Sequence, residues 1–409
     1  MKLPELLAPA GNYEKMLAAF RYGADAVYLA GEDFGMRSAA KNFSLDEISR
    51  AVNYAHSIGK KVYLTVNTMP HEMQYPALRE FFLALRSCPP DGLIISDMGV
   101  FALAEEILPD TDRHVSTQAS TVSSAACNAW YKLGARRIVL AREVSLEEII
   151  EIRKNIPEDL ELEAFVHGSM CISHSGRCLL SNYLTGRDAN RGACTQPCRW
   201  NFVISEEKRM NIKLPVYEDD GTFIMASKDM CMIEHIPELV ESGISSLKIE
   251  GRMKSSYYAA VTSNTYRMAL DAYKKDPEGY KFDPLWSNEL DSVSHREYAT
   301  GYYFTSPAEE ANVVSEGGYL REKAYFAEAT GLIDENGYAE FMQRNKVSVG
   351  DAAELLVPGE TGKAFTIENM LDAEGNEILS APHPMQRFWI RVPFEVKEGY
   401  IIRGGGSDK

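Results

Sequence analysis

The chain has 409 residues, with 43 Lys+Arg against 59 Asp+Glu and a formal charge of −16. That length suits two domains, since one domain takes roughly 100–200 residues and an α/β barrel about 250. Hydrophobic content of 45% and charged content of 25% exclude disorder, collagen and coiled coil. The acidic excess speaks against a general nucleic-acid coat, because phosphate contact needs clustered Lys and Arg. The opening Met1-Lys2-Leu3-Pro4-Glu5-Leu6-Leu7 lacks the long apolar run of a signal peptide. No run of about 18 apolar residues occurs elsewhere, so the expectation is a cytoplasmic protein with no membrane partner.

One phrase recurs along the first 260 residues. It reads Gly23-Ala24-Asp25-Ala26-Val27-Tyr28-Leu29, then Gly134-Ala135-Arg136-Arg137-Ile138-Val139-Leu140, then Gly243-Ile244-Ser245-Ser246-Leu247-Lys248-Ile249. A glycine past a helix end followed by an aliphatic run marks a helix-to-strand joint, the strand being buried on both faces. Ser44-Leu45-Asp46-Glu47 and Ser145-Leu146-Glu147-Glu148 fit the capping box that opens a helix. Further strands read as Glu5–Ala8, Val62–Asn67, Gly92–Ser96, His114–Thr117 and Glu161–Val166. Eight buried strands alternating with helices predict an α/β fold, a (β/α)8 TIM-like barrel over residues 1–260. A doubly wound sheet is the alternative.

The alternation breaks once, between Val166 and Ser245. An insertion after a barrel strand lies on the C-terminal face, where barrel active sites sit. Residues 167–242 form this cysteine-rich insertion. Residues 261–320 read as a helical and irregular connector, and 321–409 as a small β-barrel domain of short strands. That domain has hairpin turns at Asn336-Gly337 and Gly375-Asn376, and the tail from Gly404 reads as flexible.

Four of the seven cysteines, Cys171, Cys178, Cys194 and Cys198, fall within 28 residues. Disulfides are unexpected in a cytoplasmic chain, so a shared metal is the better account of crowded thiols. Zinc sites pair their ligands as C-x2–4-C, which only Cys194 and Cys198 fit. Four thiolates on glycine-flanked loops suit an iron–sulfur cluster at least as well, and iron–sulfur, zinc and unmetallated thiols all remain open at this point. Cys88, Cys127 and Cys231 read as ordinary buried thiols. Between Gly168 and Trp200, Arg177, Arg187, Arg191 and Arg199 face only Asp188. Arginines with Trp200 and Tyr183 among them suit phosphates and stacked bases; the alternative is that they offset the thiolates.

The run Glu163-Ala164-Phe165-Val166-His167-Gly168-Ser169-Met170-Cys171-Ile172-Ser173-His174-Ser175-Gly176-Arg177-Cys178 resembles the signature of the peptidase U32 family. Glu5-Leu6-Leu7-Ala8-Pro9-Ala10-Gly11-Asn12, Gly192-Ala193-Cys194-Thr195-Gln196-Pro197-Cys198-Arg199-Trp200 and Ser246-Leu247-Lys248-Ile249-Glu250-Gly251-Arg252 resemble it too, so the likeness spans the whole chain. Within the family the chain is most similar to the tRNA-hydroxylating branch. The resemblance implies a tRNA-modifying enzyme that forms 5-hydroxyuridine at the wobble position, with prephenate as hydroxyl donor in place of molecular oxygen. It implies a [4Fe-4S] cluster on Cys171, Cys178, Cys194 and Cys198, with a later cysteine near Cys231 replacing one ligand in some relatives. It also implies tRNA as partner, and some relatives work with a paralogous U32 subunit. The peptidase and collagenase attribution of the family finds little support: no His-Glu-x-x-His or Gly-x-Ser-x-Gly motif occurs.

Polar residues just past barrel strand ends face the substrate. They are Asn12, Asn67, Asp97, Gln118, Arg142, Glu143, His167, Lys248, Glu250 and Arg252. Bidentate Arg suits a dicarboxylate, so Arg142 and Arg252 are expected to bind prephenate, supported by Lys248, Arg37, Asn67 and Gln118. Ion pairs with Glu143 or Glu250 are the alternative role. His167 and Glu250 are the candidate proton-moving groups, with a purely structural role the alternative for His167. Arg187, Arg191, Arg199 and Trp200 are the expected RNA contacts.

Overall fold

The computed structural model describes residues 3–36, 42–200, 203–205, 213–215, 226–306, 312–314 and 319–404. They divide into two units, residues 1–16, 25–254 and 296–318 in one and residues 17–24, 255–295 and 319–409 in the other. In the first, strands β1 (Glu5–Pro9), β2 (Ala26–Ala30), β3 (Lys61–Val66), β4 (Gly92–Ile95), β5 (Asp112–Val115), β6 (Arg137–Val139) and β7 (Glu161–Ser169) pair in parallel in sequence order. Helices α1 (Tyr13–Arg21), α2 (Leu45–Ser57), α3 (Tyr75–Leu85), α4 (Met98–Ile107), α5 (Ser124–Lys132) and α6 (Leu146–Lys154) alternate with them. Both expected capping boxes form. Ser44 and Ser145 accept from the backbone of Glu47 and Glu148, whose carboxylates bind back to the cap residues' N–H groups.

The insertion after β7 carries α7 (Leu180–Thr185), a short antiparallel pair β8 (Val203–Ser205) and β9 (Lys213–Pro215), and β10 (Asp229–Cys231). Helix α8 (Ile236–Glu241) then leads to β11 (Ser246–Ile249), which pairs in parallel with both β1 and β7. That double pairing closes the sheet. The eight-stranded TIM-like barrel is therefore the fold, and an open doubly wound sheet is excluded. Leu7, Ala26, Tyr28, Tyr63 and Ile94 form one of its buried clusters.

Strand β7 runs three residues further than the sequence suggests. Its extension His167–Ser169 pairs antiparallel with β10, so backbone bonding continues where the barrel ladder ends. Strand β12 (Tyr298–Ala299) adds to β10 in parallel. The segment read as an irregular connector thus supplies part of the first unit. Arg296 there binds the buried Asp229 carboxylate at 2.6 Å, and the Tyr303 hydroxyl donates to the Phe165 carbonyl at 2.7 Å.

The second unit contains α9 (Ser256–Lys275) and α10 (Pro284–Asp291). Its sheet comprises β13 (Ala324–Ile333), β14 (Ala339–Gln343), β16 (Ala352–Leu356), β17 (Lys363–Thr366), β19 (Arg387–Ile390) and β20 (Ile401–Gly404), with a separate pair β15 (Val347–Ser348) and β18 (Ser380–Ala381). The ladder runs from β17 to β19 without a pairing between those edges among the described residues. The expected small C-terminal β domain is thus an antiparallel sheet with an added two-stranded ribbon. The ribbon supplies Val347 and Ala381 to the core that the sheet packs around Phe341, Leu355 and Phe388. Gly404 is no flexible tail: it is buried in β20, paired with Ala324 and Ala353.

Candidate active site

A cavity opens at the C-terminal ends of the barrel strands. Its walls are Tyr28, Met36, Thr65, Asn67, Ile94, Ser116, Thr117, Gln118, Arg142, Phe165, Lys248, Glu250 and Arg252. Six expected residues meet here: Asn67, Gln118, Arg142, Lys248, Glu250 and Arg252. The parallel ladder explains this, since it sets every strand's end at the same face. The charged walls are three cations against one carboxylate; Lys248 and Arg252 are buried, and the Arg142 side chain is 7% exposed. Arg142 lies with its guanidinium 4.0 Å from the Phe165 ring centroid and 3.7 Å from Glu250. The ion-pair alternative for Arg142 is thus partly realised without removing it from the cavity wall. The Arg252 guanidinium donates to the Met36 carbonyl. The Tyr28 hydroxyl donates to the Ile249 carbonyl at 3.1 Å and to Glu250 at 3.3 Å, and burial, with Glu250 adding to it, pushes its ionisation well above the ordinary tyrosine value. Gly11 lies so close to the Arg252 carbonyl that a methyl group there would overlap it, which ties the β1–α1 turn to the site.

Lys248 rises from the barrel interior. Its ammonium is 2.7 Å from the fully buried Glu163 carboxylate and 4.5 Å from the Tyr28 ring centroid. Glu163 also accepts from Arg137 at 3.0 Å. Burial opposes ionisation of Glu163, but Lys248 and Arg137 outweigh it and hold the carboxyl below its usual range. Glu163, Tyr28, Thr65, Ser116, Thr117 and Phe165 were not singled out in the sequence. Strand alternation is the signal that was there: Glu163 and Phe165 share a β7 face, and Lys248 lies opposite Phe165 in register.

Other expected residues take different places. His167 does not line the cavity; it is buried in the β7 extension opposite Cys231, its ring 5.4 Å from that of Tyr298. The irregular register between Lys248 and Ile249 falls where β7 leaves the barrel ladder, which accounts for the departure. Asn12 and Asp97 cap α1 and α4, accepting from the backbone of Lys15 and Val100. Glu143 accepts from the Ser175 backbone at 2.9 Å. Arg37 lies outside the described residues.

The cysteine loop is fastened to this cavity. Ser175 is buried and accepts from the Arg142 backbone at 3.3 Å, while its carbonyl accepts from the Ser120 hydroxyl. Gly176, at φ +74°, touches the Gln118 carbonyl where a Cβ would overlap it. Cys171 is exposed and Cys178, Cys194 and Cys198 are half-buried. Burial pushes the Cys198 thiol up, and the charges of Cys171, Cys194 and Cys178 push it further, against Arg199. The Gln196 backbone N–H donates to Cys194 Sγ at 3.4 Å. No three His, Cys, Asp or Glu side chains among the described residues are close enough to hold one metal ion. Cys127 is buried, whereas Cys88 and Cys231 are half-buried.

Of the expected RNA contacts, Arg187, Arg191 and Trp200 are exposed and Arg199 half-buried. Arg191 donates to Gln74 at 2.9 Å, and with Arg187 it lines a second hollow beside Met69 and Met73. Tyr183 is 86% exposed on α7.

A (β/α)8 barrel with a cation-rich cavity and a thiol loop at its active face is the class that fold and site define. The profile of peptidase family U32 matches residues 11–312 and that of its C-terminal domain matches residues 321–403. The chain belongs to this family. It is 38% identical to tRNA hydroxylation protein P1 of Bacillus subtilis over 99% of this chain and 95% of that one. It is 35% identical to tRNA hydroxylation protein P of Escherichia coli, over 98% and 96%. A collagenase of Porphyromonas gingivalis is 30% identical over 87% of each chain. Among solved structures, the C-terminal domain of a Geobacillus thermoleovorans U32 peptidase is 30% identical over 20% of this chain and 93% of its own, with a TM-score of 0.19. No helix among the described residues is long and apolar enough to cross a membrane.

Proposed function

We propose that this protein hydroxylates tRNA, converting the wobble uridine to 5-hydroxyuridine with prephenate as the hydroxyl donor. One observation carries the reading: three cations and a single carboxylate line a cavity at the C-terminal face of the barrel, to which the cysteine loop is fastened through Ser175 and Gly176. Such a cavity selects a dianion, and Arg142 and Arg252 offer the fork that binds carboxylates. The relatives named for tRNA hydroxylation, matched over nearly their whole length, support the substrate class.

The donor set suits a [4Fe-4S] cluster. Cys171, Cys194 and Cys178 each act through their charge on the Cys198 thiol, so the four lie within electrostatic reach of one another. The four cysteines would hold the cluster, and it would supply electron transfer or polarise the donor hydroxyl. The chain's own part is distinct. Arg142, Arg252 and Lys248 fix the donor carboxylates, while the Glu250 carboxylate, hydrogen-bonded by Tyr28, is placed to hold or move a proton at the cavity wall. Phe165 and Ile94 exclude water from one wall. Arg187, Arg191 and Trp200, with Tyr183, offer phosphate and stacking contacts to the tRNA.

A peptidase reading finds no Ser-His or Cys-His pair here, since no histidine or cysteine among the described residues lines the cavity. The test is anaerobically purified, iron-loaded protein incubated with undermodified tRNA and prephenate, read by nucleoside mass spectrometry. Formation of 5-hydroxyuridine is expected only with prephenate. Its absence, with cluster loading verified by visible absorption and iron and sulfide analysis, would sink the reading for the lone chain. Activity restored by a paralogous U32 subunit would instead make this chain one half of a paired enzyme.

A further inference from the structure

Beneath the cavity, one carboxylate answers to two cations. Glu163 on β7 has no exposed surface, and its two oxygens are divided between Lys248 on β11 at 2.7 Å and Arg137 on β6 at 3.0 Å. Lys248 lines the cavity, whereas Glu163 and Arg137 do not. The other groups around the Lys248 ammonium are Tyr28 on β2, Phe165 on β7 and His114 on β5, with Arg142, Glu250 and Arg252 along the cavity wall. His114 is kept neutral by burial, and then by the charges of Arg137 and Lys248. Two arginines share the cavity with Lys248, and like charges at short range favour loss of a proton by the member that can lose one. Lysine can do so; arginine cannot.

We propose that Glu163 is a positioning residue for the donor site: its buried ion pair holds the Lys248 ammonium at the cavity wall beside the two arginines. This rests on the reading of the cavity as a prephenate site. Arg137 completes the device. It retains Glu5 at 2.8 Å and Glu161 at 2.6 Å when Glu163 is neutralised, so the lower end of the barrel keeps its ion pairs in a Glu163→Gln variant. Gln preserves the side-chain volume and removes the charge alone. A buried ammonium stripped of its counter-ion gives up its proton more readily. The variant therefore converts a constant charge into one that depends on pH.

The experiment is calorimetric titration of the full chain with prephenate at about pH 6.5 and about pH 9, for wild type, Glu163→Gln and the double variant Glu163→Gln/Lys248→Arg, with thermal melts at both pH values. Wild type is expected to bind equally at both. Glu163→Gln is expected to bind like wild type at the lower pH and about tenfold more weakly at the higher, the consequence of a lost site charge. The double variant is expected to bind equally at both, because arginine stays charged. A Glu163→Gln profile parallel to wild type, or weakened equally at both pH values, overturns the proposal while leaving the donor assignment standing. Failure of the arginine to restore a flat profile also overturns it. Absence of prephenate binding by wild type at either pH overturns both.

Discussion

The two ends of one barrel carry buried charge arranged to opposite effect. At the lower end Arg137 meets three carboxylates, Glu5, Glu161 and Glu163, and Tyr63 donates to Glu5 at 2.7 Å. These side chains bind one another, and Glu163 also binds Lys248 of the upper end. At the upper end Arg142, Lys248 and Arg252 face the single wall carboxylate Glu250. Desolvating charge is costly unless it is matched, so a matched cluster reads as scaffold and a cationic excess reads as a seat for an anion. The second unit repeats the matched pattern, with the fully buried Arg403 bound to Glu289 at 2.6 Å and Glu354 at 2.9 Å.

The contrast breaks most visibly at Arg137. Arg137→Met leaves three carboxylates without their shared cation and should cost about 3–5 kcal/mol in denaturant unfolding. Arg142→Gln should do the reverse, leaving stability nearly unchanged. It should raise the dissociation constant for prephenate by ten- to a hundredfold, the worth of about 1.5–3 kcal/mol for charge-assisted hydrogen bonds. If Arg142→Gln instead unfolds the protein and leaves binding intact, the division of the two ends is wrong.

Gly176→Ala tests the fastening between cavity and cysteine loop. A left-handed φ and overlap with Gln118 should cost about 1–3 kcal/mol, read as faster alkylation of Cys171 and Cys178 in the metal-free chain. The pH dependence of stability sharpens the lower end further. Glu163 is held below its usual carboxyl value, so its contribution is present above the unfolded value of about 4.3 and is lost as pH falls through the folded value. Glu163→Gln should therefore flatten the acid limb of unfolding free energy against pH below about 4. The smallest effect belongs to the rim. Tyr183→Ala should weaken tRNA binding only several-fold, about 1 kcal/mol, at the low end for base stacking, and should leave prephenate binding as it was.

Much of this was legible along the chain. The glycine-to-strand joints at Gly23, Gly134 and Gly243 give three of the barrel strands, and the polar residues at or just past strand ends give six of the cavity walls. The inward positions were not legible. Glu163, Tyr28 and Phe165 sit in strands covered on both faces, where nothing in sequence separates the face turned to the barrel axis from the one turned to the helices. His167 was misplaced for a related reason. The strand continues past the barrel, and β10, only three residues long and some 60 positions away, carries no pattern of its own. That part of the connector packs with the first unit could not be read either, because Arg296 and Asp229 recognise each other across 67 positions, a pairing that no local period announces.

The β7–β10 pairing has a consequence for how this family can vary. The insertion departs at Ser169 and returns at Asp229, and those two residues are partners in the ladder. Its ends are stapled together by backbone hydrogen bonds, so the barrel experiences the excursion as a closed loop of fixed footprint. Closure entropy grows only with the logarithm of loop length, about 0.6 kcal/mol for each doubling. Away from the contacts at Ser175, Gly176 and Arg191, the excursion can therefore lengthen or shorten at small entropic cost while the strands beneath hold their register.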